Sequence, residues 1–160
     1  MAEGLNLNFV SGSRYLGAYL GPQAELEAWV KPQLEGWAHG VKVLAKISRR
    51  HPHLDYAGLG ISLQSEWQYL QRTVPGVGTL MGPIEEALRE KCSPSLFGGE
   101  EITADFRKIL GHRVKHGGIG IPYPQLSGEC AYNTSKSDSR ELVNSLLRVS
   151  GLNYVWIPPT

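Results

Sequence analysis

Apolar side chains recur at intervals of three and four residues from position 26 onward, and this repeat constrains the fold more than any other feature of the chain. Its members are Leu26, Trp29, Val30, Leu34, Trp37, Val41, Leu44 and Ile47. Such spacing places apolar groups on one face of an α-helix. Pro32 lies inside the repeat and predicts a kink or a restart, because it lacks the N–H that bonds back four residues. The repeat therefore predicts a helical fold.

Other patterns extend this prediction along the chain. Apolar repeats predict helices at about 53–73, 80–92, 102–110, 125–132 and 138–149. Asp138, with Glu141 three residues later, matches a capping box at the start of the last helix. Near the N-terminus, a period of two in residues 5–10 and 14–20 predicts a β-hairpin. We expect a mainly α (α+β) fold, a helical bundle with a short N-terminal hairpin.

The segment Val114–Pro124 is rich in glycine and closes with two prolines. Glycine lets a backbone adopt positive φ or approach a neighbour closely. Ile119 and Ile121 are two residues apart, so an extended backbone would point both side chains to one face. We predict a Gly-rich extended segment that serves either tight packing or close approach to a ligand.

Length and composition predict one ordinary globular domain. The chain has 160 residues, of which 41% are hydrophobic and 19% charged. We divide the predicted single domain (1–160) into a hairpin (5–20), a helical bundle (22–111), the Gly-rich segment (112–124) and C-terminal helices with a tail (125–160). The net charge of +1 argues against nucleic-acid binding by bulk charge, but it leaves room for a local basic face.

The sequence predicts no membrane span and no export. No apolar run approaches the ~20 residues that a membrane helix needs. The first residues, Met1–Gly4, lack the charged-then-apolar pattern of a signal peptide. We therefore expect an intracellular protein, in the nucleus or the cytoplasm.

Patterns that carry catalytic chemistry are missing. The sequence has no phosphate-binding Gly-x-x-x-x-Gly-Lys motif and no Cys-x-x-Cys pair. The His51/His53 pair has no further ligand at zinc spacing, and neither Cys92 nor Cys130 has the local signature of a nucleophile. We expect no catalytic residue, no metal site and no cofactor.

Two helix faces carry groups that suit nucleic acid. One face, within the helix predicted at 53–73, holds Gln64, Gln68, Gln71 and Arg72. The other, on the preceding helix, holds Lys42, Lys46 and Arg49. Amides and cations of this kind contact base edges and phosphates. On pattern alone, each face is better explained as an ordinary solvated helix surface.

Three segments together resemble the C-terminal half of retroelement reverse transcriptases. Gly12–Gly21, with its Tyr-Leu-Gly sequence, is similar to the hairpin that grips the primer end. Tyr56–Arg72 is similar to the central helix of the thumb, and His116–Pro122 to a Gly-Gly-Leu-Gly-Ile segment further downstream. The order and spacing of the three segments fit the family, and the resemblance spans about residues 10 to 150.

The resemblance implies a thumb-like module that binds a template–primer duplex, either RNA–DNA or DNA, against a polymerase palm supplied elsewhere. With the charge pattern, it predicts these nucleic-acid contacts: Arg14, Tyr15, Lys42, Lys46, Arg49, Gln64, Gln68, Gln71, Arg72, Lys115 and His116. The family's catalytic aspartates, which hold Mg²⁺ in the palm, have no counterpart, and the chain contains no Asp–Asp pair. We therefore do not expect polymerisation by this chain alone.

A second interpretation is a helical structural or protein-interaction domain derived from such an element, without nucleic-acid binding. Four tryptophans and the apolar tail Tyr154–Ile157 favour it, because exposed aromatic groups are typical of interfaces and of self-association. The two interpretations differ in one structural respect. A nucleic-acid module needs Lys42, Lys46, Arg49 and Arg72 on a shared concave surface, whereas a scaffold leaves them scattered.

Overall fold

The computed structural model describes residues 10–121 and 123–149, and this part of the chain is mainly helical. Its strands and α-helices are β1 (Ser13–Tyr15), β2 (Ala18–Leu20), α1 (Gln23–Ser48), α2 (Pro52–Ala57), α3 (Gln64–Thr73), α4 (Gly82–Ala87), α5 (Ser93–Leu96), α6 (Ala104–Leu110) and α7 (Pro124–Val149). A first π-helical segment, Gly58–Leu63, joins α2 to α3, and a second, Leu88–Cys92, joins α4 to α5. The prediction of a mainly α bundle with a short hairpin is confirmed.

The hairpin is shorter than expected and uses different strands. β1 pairs antiparallel with β2, so the segment predicted as one strand, 14–20, folds back on itself. The turn residues Leu16 and Gly17 both have positive φ, 47° and 83°. Residue 10 lies in no strand, and the rest of the predicted first strand lies outside the described residues. Tyr19 stacks on Trp29, with ring centroids 5.7 Å apart, which anchors the hairpin to α1.

Helix α1 runs through Pro32 without interruption, so the predicted restart is wrong. The proline leaves the carbonyl of Ala28 without its helical donor, but both residues are exposed and water can hydrogen-bond there. The predicted apolar stripe does face the core. Its buried members are Leu26, Val30, Leu34 and Val41, joined by Ala38, Ala45 and Ser48.

The core lies between α1 and the helices that follow it. Helix α1 packs against α2, α4, the second π segment and α5, while α3 packs against α7. The largest buried apolar side chains here include Trp67, Leu59, Leu70, Met81, Ile84 and Leu88. Two glycines allow α7 to approach closely, because a Cβ on Gly128 would lie 2.7 Å from the Cα of Gly78.

Helix α7 is one continuous helix of 26 residues, where two helices were predicted. Asp138 is an exposed mid-helix residue, so the predicted capping box is wrong. The segment Asn133–Ser137 resembles a loop in composition, but it contains no glycine or proline to break a helix. The C-terminal tail of the prediction lies outside the described residues.

The Gly-rich segment forms turns instead of a strand. A 3₁₀ turn at Val114–His116 is followed by Gly117 and Gly120, both with positive φ. Ile121 is buried in the core and Ile119 is partly buried against it, as the period of two predicted. A Cβ on Gly118 would lie 2.1 Å from the carbonyl oxygen of His112. Of the two predicted purposes, the contacts match tight packing.

A buried arginine holds this segment in place. Arg107 of α6 is fully buried and donates two hydrogen bonds to the Glu85 carboxylate, at 2.9 and 2.7 Å. It also donates to the carbonyl of Ile121 at 2.8 Å, and its guanidinium lies 4.4 Å from the ring centroid of Tyr123. These contacts connect α4, α6 and the end of the Gly-rich segment.

Candidate basic groove

The basic residues of α1 line an open groove of about 900 Å³. Lys42, Lys46 and Arg49 are spaced by four and three residues, so they share one face of the helix. The opposite wall comes from the second π segment and from the chain through α5 to Gly99. Lys91 projects from that wall, so four cations from two parts of the fold meet in one concave surface.

The groove has an excess of positive charge. Its lining includes the four cations, His39 and one carboxylate, that of Glu90. Glu90 already accepts a hydrogen bond from Arg89 at 3.2 Å, which offsets part of its negative charge. Closely spaced cations with one weak counter-charge attract a polyanion, and exposure to water makes that attraction dependent on salt.

Apart from Val43, the other residues that line the groove have small side chains, which leave room for a phosphate backbone. They include Ala45, Pro94, Ser95, Gly98 and Gly99. Among the described residues that line the groove, none is Phe, Tyr or Trp. Unpaired bases are normally held by stacking on aromatic rings, so this surface is better suited to phosphates than to exposed bases.

A buried acid lies where the two walls meet. Asp55 of α2 is fully buried, and its two carboxyl oxygens lie 4.0 and 3.8 Å from the Cys92 sulfur. Burial raises the pKa of Asp55, while the nearby Ser48 hydroxyl and Cys92 thiol oppose that shift in part. Burial, with the adjacent Asp55, raises the pKa of Cys92 to about 12, so the thiol remains protonated and is not a nucleophile.

The amide face predicted on α3 is largely taken up by packing. Gln71 is buried and donates to the carbonyl of Pro124 at 2.6 Å and to the hydroxyl of Ser127 at 3.1 Å. Its predicted contact with nucleic acid is therefore wrong, because α7 covers this part of α3. Gln64 and Gln68 are half-buried, and Arg72 is exposed but lies outside the groove.

The remaining predicted contacts lie on other parts of the surface. Arg14 and Tyr15 are exposed on β1, and Lys115 and His116 are exposed on the 3₁₀ turn after α6. None of them lines the groove. Of the four cations that a nucleic-acid module was expected to place on one concave surface, the structure brings together Lys42, Lys46 and Arg49 but not Arg72. It adds Lys91, which the sequence patterns did not single out.

Comparisons with protein-family models, with curated proteins and with solved structures give no match. Across residues 10–121 and 123–149, no group of three or more His, Cys, Asp or Glu is placed to hold a metal ion. In the same ranges, none of the helices combines the length and the apolar character that crossing a bilayer requires.

Proposed function

We propose that this chain is a non-catalytic nucleic-acid-binding module, the thumb-like part of a retroelement reverse transcriptase. It holds the phosphate backbone of a template–primer duplex, RNA–DNA or DNA, in the basic groove. A palm supplied by another segment or chain would carry the catalytic Mg²⁺, and the module would act in the nucleus or the cytoplasm. The observation that carries the proposal is the convergence of four cations from two walls on one concave surface.

The spacing of the cations along α1 supports this proposal. A rise of ~1.5 Å per residue separates Lys42 from Lys46 by about 6 Å and Lys46 from Arg49 by about 4.5 Å along the axis. Phosphates of one strand advance by about 3.4 Å along a duplex, so neighbouring cations can meet different phosphates. Lys91 then contacts the same strand from the opposite wall.

The test is binding of a fluorescent RNA–DNA hybrid, measured by anisotropy between about 50 and 200 mM salt without added metal. Four phosphate contacts give a slope of log K against log[salt] of about −3 to −4. Lys46→Ala should make that slope shallower by about one unit. Lys31→Ala changes an exposed lysine of the same helix outside this groove and should leave the slope unchanged, as should Arg72→Ala. Absence of binding at low salt would falsify the proposal.

A second candidate function, a protein-interaction domain, is favoured by the C-terminal half of α7. Leu142, Val143 and Leu146 are 65%, 49% and 61% exposed and lie close together on the helix. Exposed apolar groups of this kind are typical of interfaces. Sedimentation over a range of concentrations, with Leu146→Asp as the variant, tests whether they mediate self-association. A mass of one chain throughout would exclude self-association through these residues.

A further inference from the structure

Asp55 lies at the joint between the two walls of the basic groove. Cys92, at the end of the second π segment, lies 3.8 Å from one of its carboxyl oxygens, and the Ser48 hydroxyl, at the end of α1, is also near this carboxyl. The groove cations are direct neighbours in sequence, because Arg49 follows Ser48 and Lys91 precedes Cys92. We therefore expect a shift at this joint to move cations on both walls.

The contacts of Asp55 suit a neutral acid. A thiol at 3.8–4.0 Å is a weak donor, and the side chain of Asp55 is 0% exposed. The Ser48 hydroxyl is close enough to influence the carboxyl, but within the described residues it has no hydrogen bond of good geometry. An ionised carboxylate would need stronger donors than these to remain buried.

The charged side chains around this joint do not supply the strong hydrogen-bond donors that an ionised Asp55 would need. Lys46 and Arg49 of α1 and Lys91 of the second π segment are exposed in the groove, and His51 and His53 are exposed at the start of α2. The positive charge of Arg107 lowers the pKa of Cys92 in part, but the Arg107 guanidinium is already hydrogen-bonded to Glu85. The first π segment and α5 contain no charged residue.

We propose that Asp55 is a positioning residue for the basic groove, which as a neutral acid holds the end of α1 against the second π segment. When Asp55 ionises, its proton passes to solvent, the carboxylate draws in water, and the two walls separate. The cations then no longer meet one strand together. This inference rests on the proposed function in one respect, because its first test measures binding of a nucleic-acid duplex.

The first test is the pH dependence of duplex binding by the full chain. Both proteins carry His39→Gln, so that no imidazole lines the groove and the two differ only at position 55. With Asp55 intact, affinity should fall as pH rises through the raised pKa, by at most about tenfold per pH unit, since one proton is linked. With Asp55→Asn, an uncharged side chain of the same shape, affinity should stay high and flat. Identical pH profiles in the two variants overturn the inference.

Two measurements on the free protein separate this inference from the proposed function. Carboxyl ¹³C shifts of the wild-type chain report the ionisation of Asp55 directly, without any substitution. Hydrogen exchange, corrected for its intrinsic pH dependence, should show α2 and α5 losing protection as Asp55 ionises, and Asp55→Asn should prevent that loss. If these changes occur and no nucleic acid binds, the positioning role stands and the proposed function fails. If Asp55 titrates near the ordinary value of about 4, the positioning role fails.

Discussion

At the scale of single residues, two buried acids depend on very different surroundings. Glu85 faces a guanidinium that supplies two short hydrogen bonds, whereas Asp55 faces a thiol and a hydroxyl. The sequence gives no sign of either arrangement, because the partners are separated by 22 and 37 residues. Lone Asp, Glu and Arg residues also occur on most protein surfaces, so burial of these three could not be predicted from their neighbours.

Removing Arg107 should be among the most damaging single changes. Arg107→Ala leaves the Glu85 carboxylate buried without its partner, and we expect a loss of about 3–5 kcal/mol in the free energy of unfolding. Lys108→Ala is the matched control, because it removes an exposed ion pair with Asp105 on the same helix and should cost at most about 1 kcal/mol. Urea denaturation monitored by tryptophan fluorescence measures both. Equal losses would contradict the assigned role of Arg107.

Asp55→Asn should stabilise the fold increasingly as the pH rises. The folded-state pKa of Asp55 is raised, so its neutral form contributes stability in full below about pH 4, and that contribution is lost as the pH rises through the folded-state value. The asparagine does not titrate. In this interval the wild-type chain should lose about 1.4 kcal/mol per pH unit relative to the variant. Denaturation of both proteins in parallel from pH 4 to 8 measures the difference, and a constant gap would refute it.

At the scale of elements, regular repeats predicted structure well and local composition did not. The buried stripe of α1 follows directly from its apolar spacing. The break expected at Pro32, the start expected at Asp138 and the strand expected around Gly118 all relied on local preference. In each case the local preference was overridden, because packing or solvent could supply the backbone groups with hydrogen-bond partners in another way. The Gly-rich segment is shaped by contacts with α6, which no local pattern contains.

Gly118 should be intolerant of even one added methyl group. A Cβ at this position would lie 2.1 Å from the His112 carbonyl oxygen and 2.5 Å from that of Ile109, so the backbone must move. We expect Gly118→Ala to cost about 1–3 kcal/mol. Gly36→Ala is the control, because that glycine lies inside α1 with open space around it and should gain up to about 1 kcal/mol. Thermal unfolding by circular dichroism distinguishes the two directions.

At the scale of the whole molecule, the candidate site is only partly visible in the sequence. Lys42, Lys46 and Arg49 could be grouped because one helix presents them, and helical spacing is readable. Lys91 could not, because it reaches the groove only through the packing of the second π segment on α1. Gln71 was assigned to the surface because nothing in its own helix shows that α7 covers it. Net charge also gives no hint of a local excess of cations.

Position of charge, more than its total, should therefore decide binding. The double variant Lys42→Glu/Lys46→Glu reverses two cations inside the groove and should weaken hybrid binding by about a hundredfold near 0.1 M salt, since it replaces phosphate contacts with repulsion. The variant Lys31→Glu/Lys108→Glu carries the same net charge but alters exposed residues outside this groove, and it should bind nearly as well as the wild type. Equal weakening in the two variants would mean that the whole molecule's field governs binding and the groove does not.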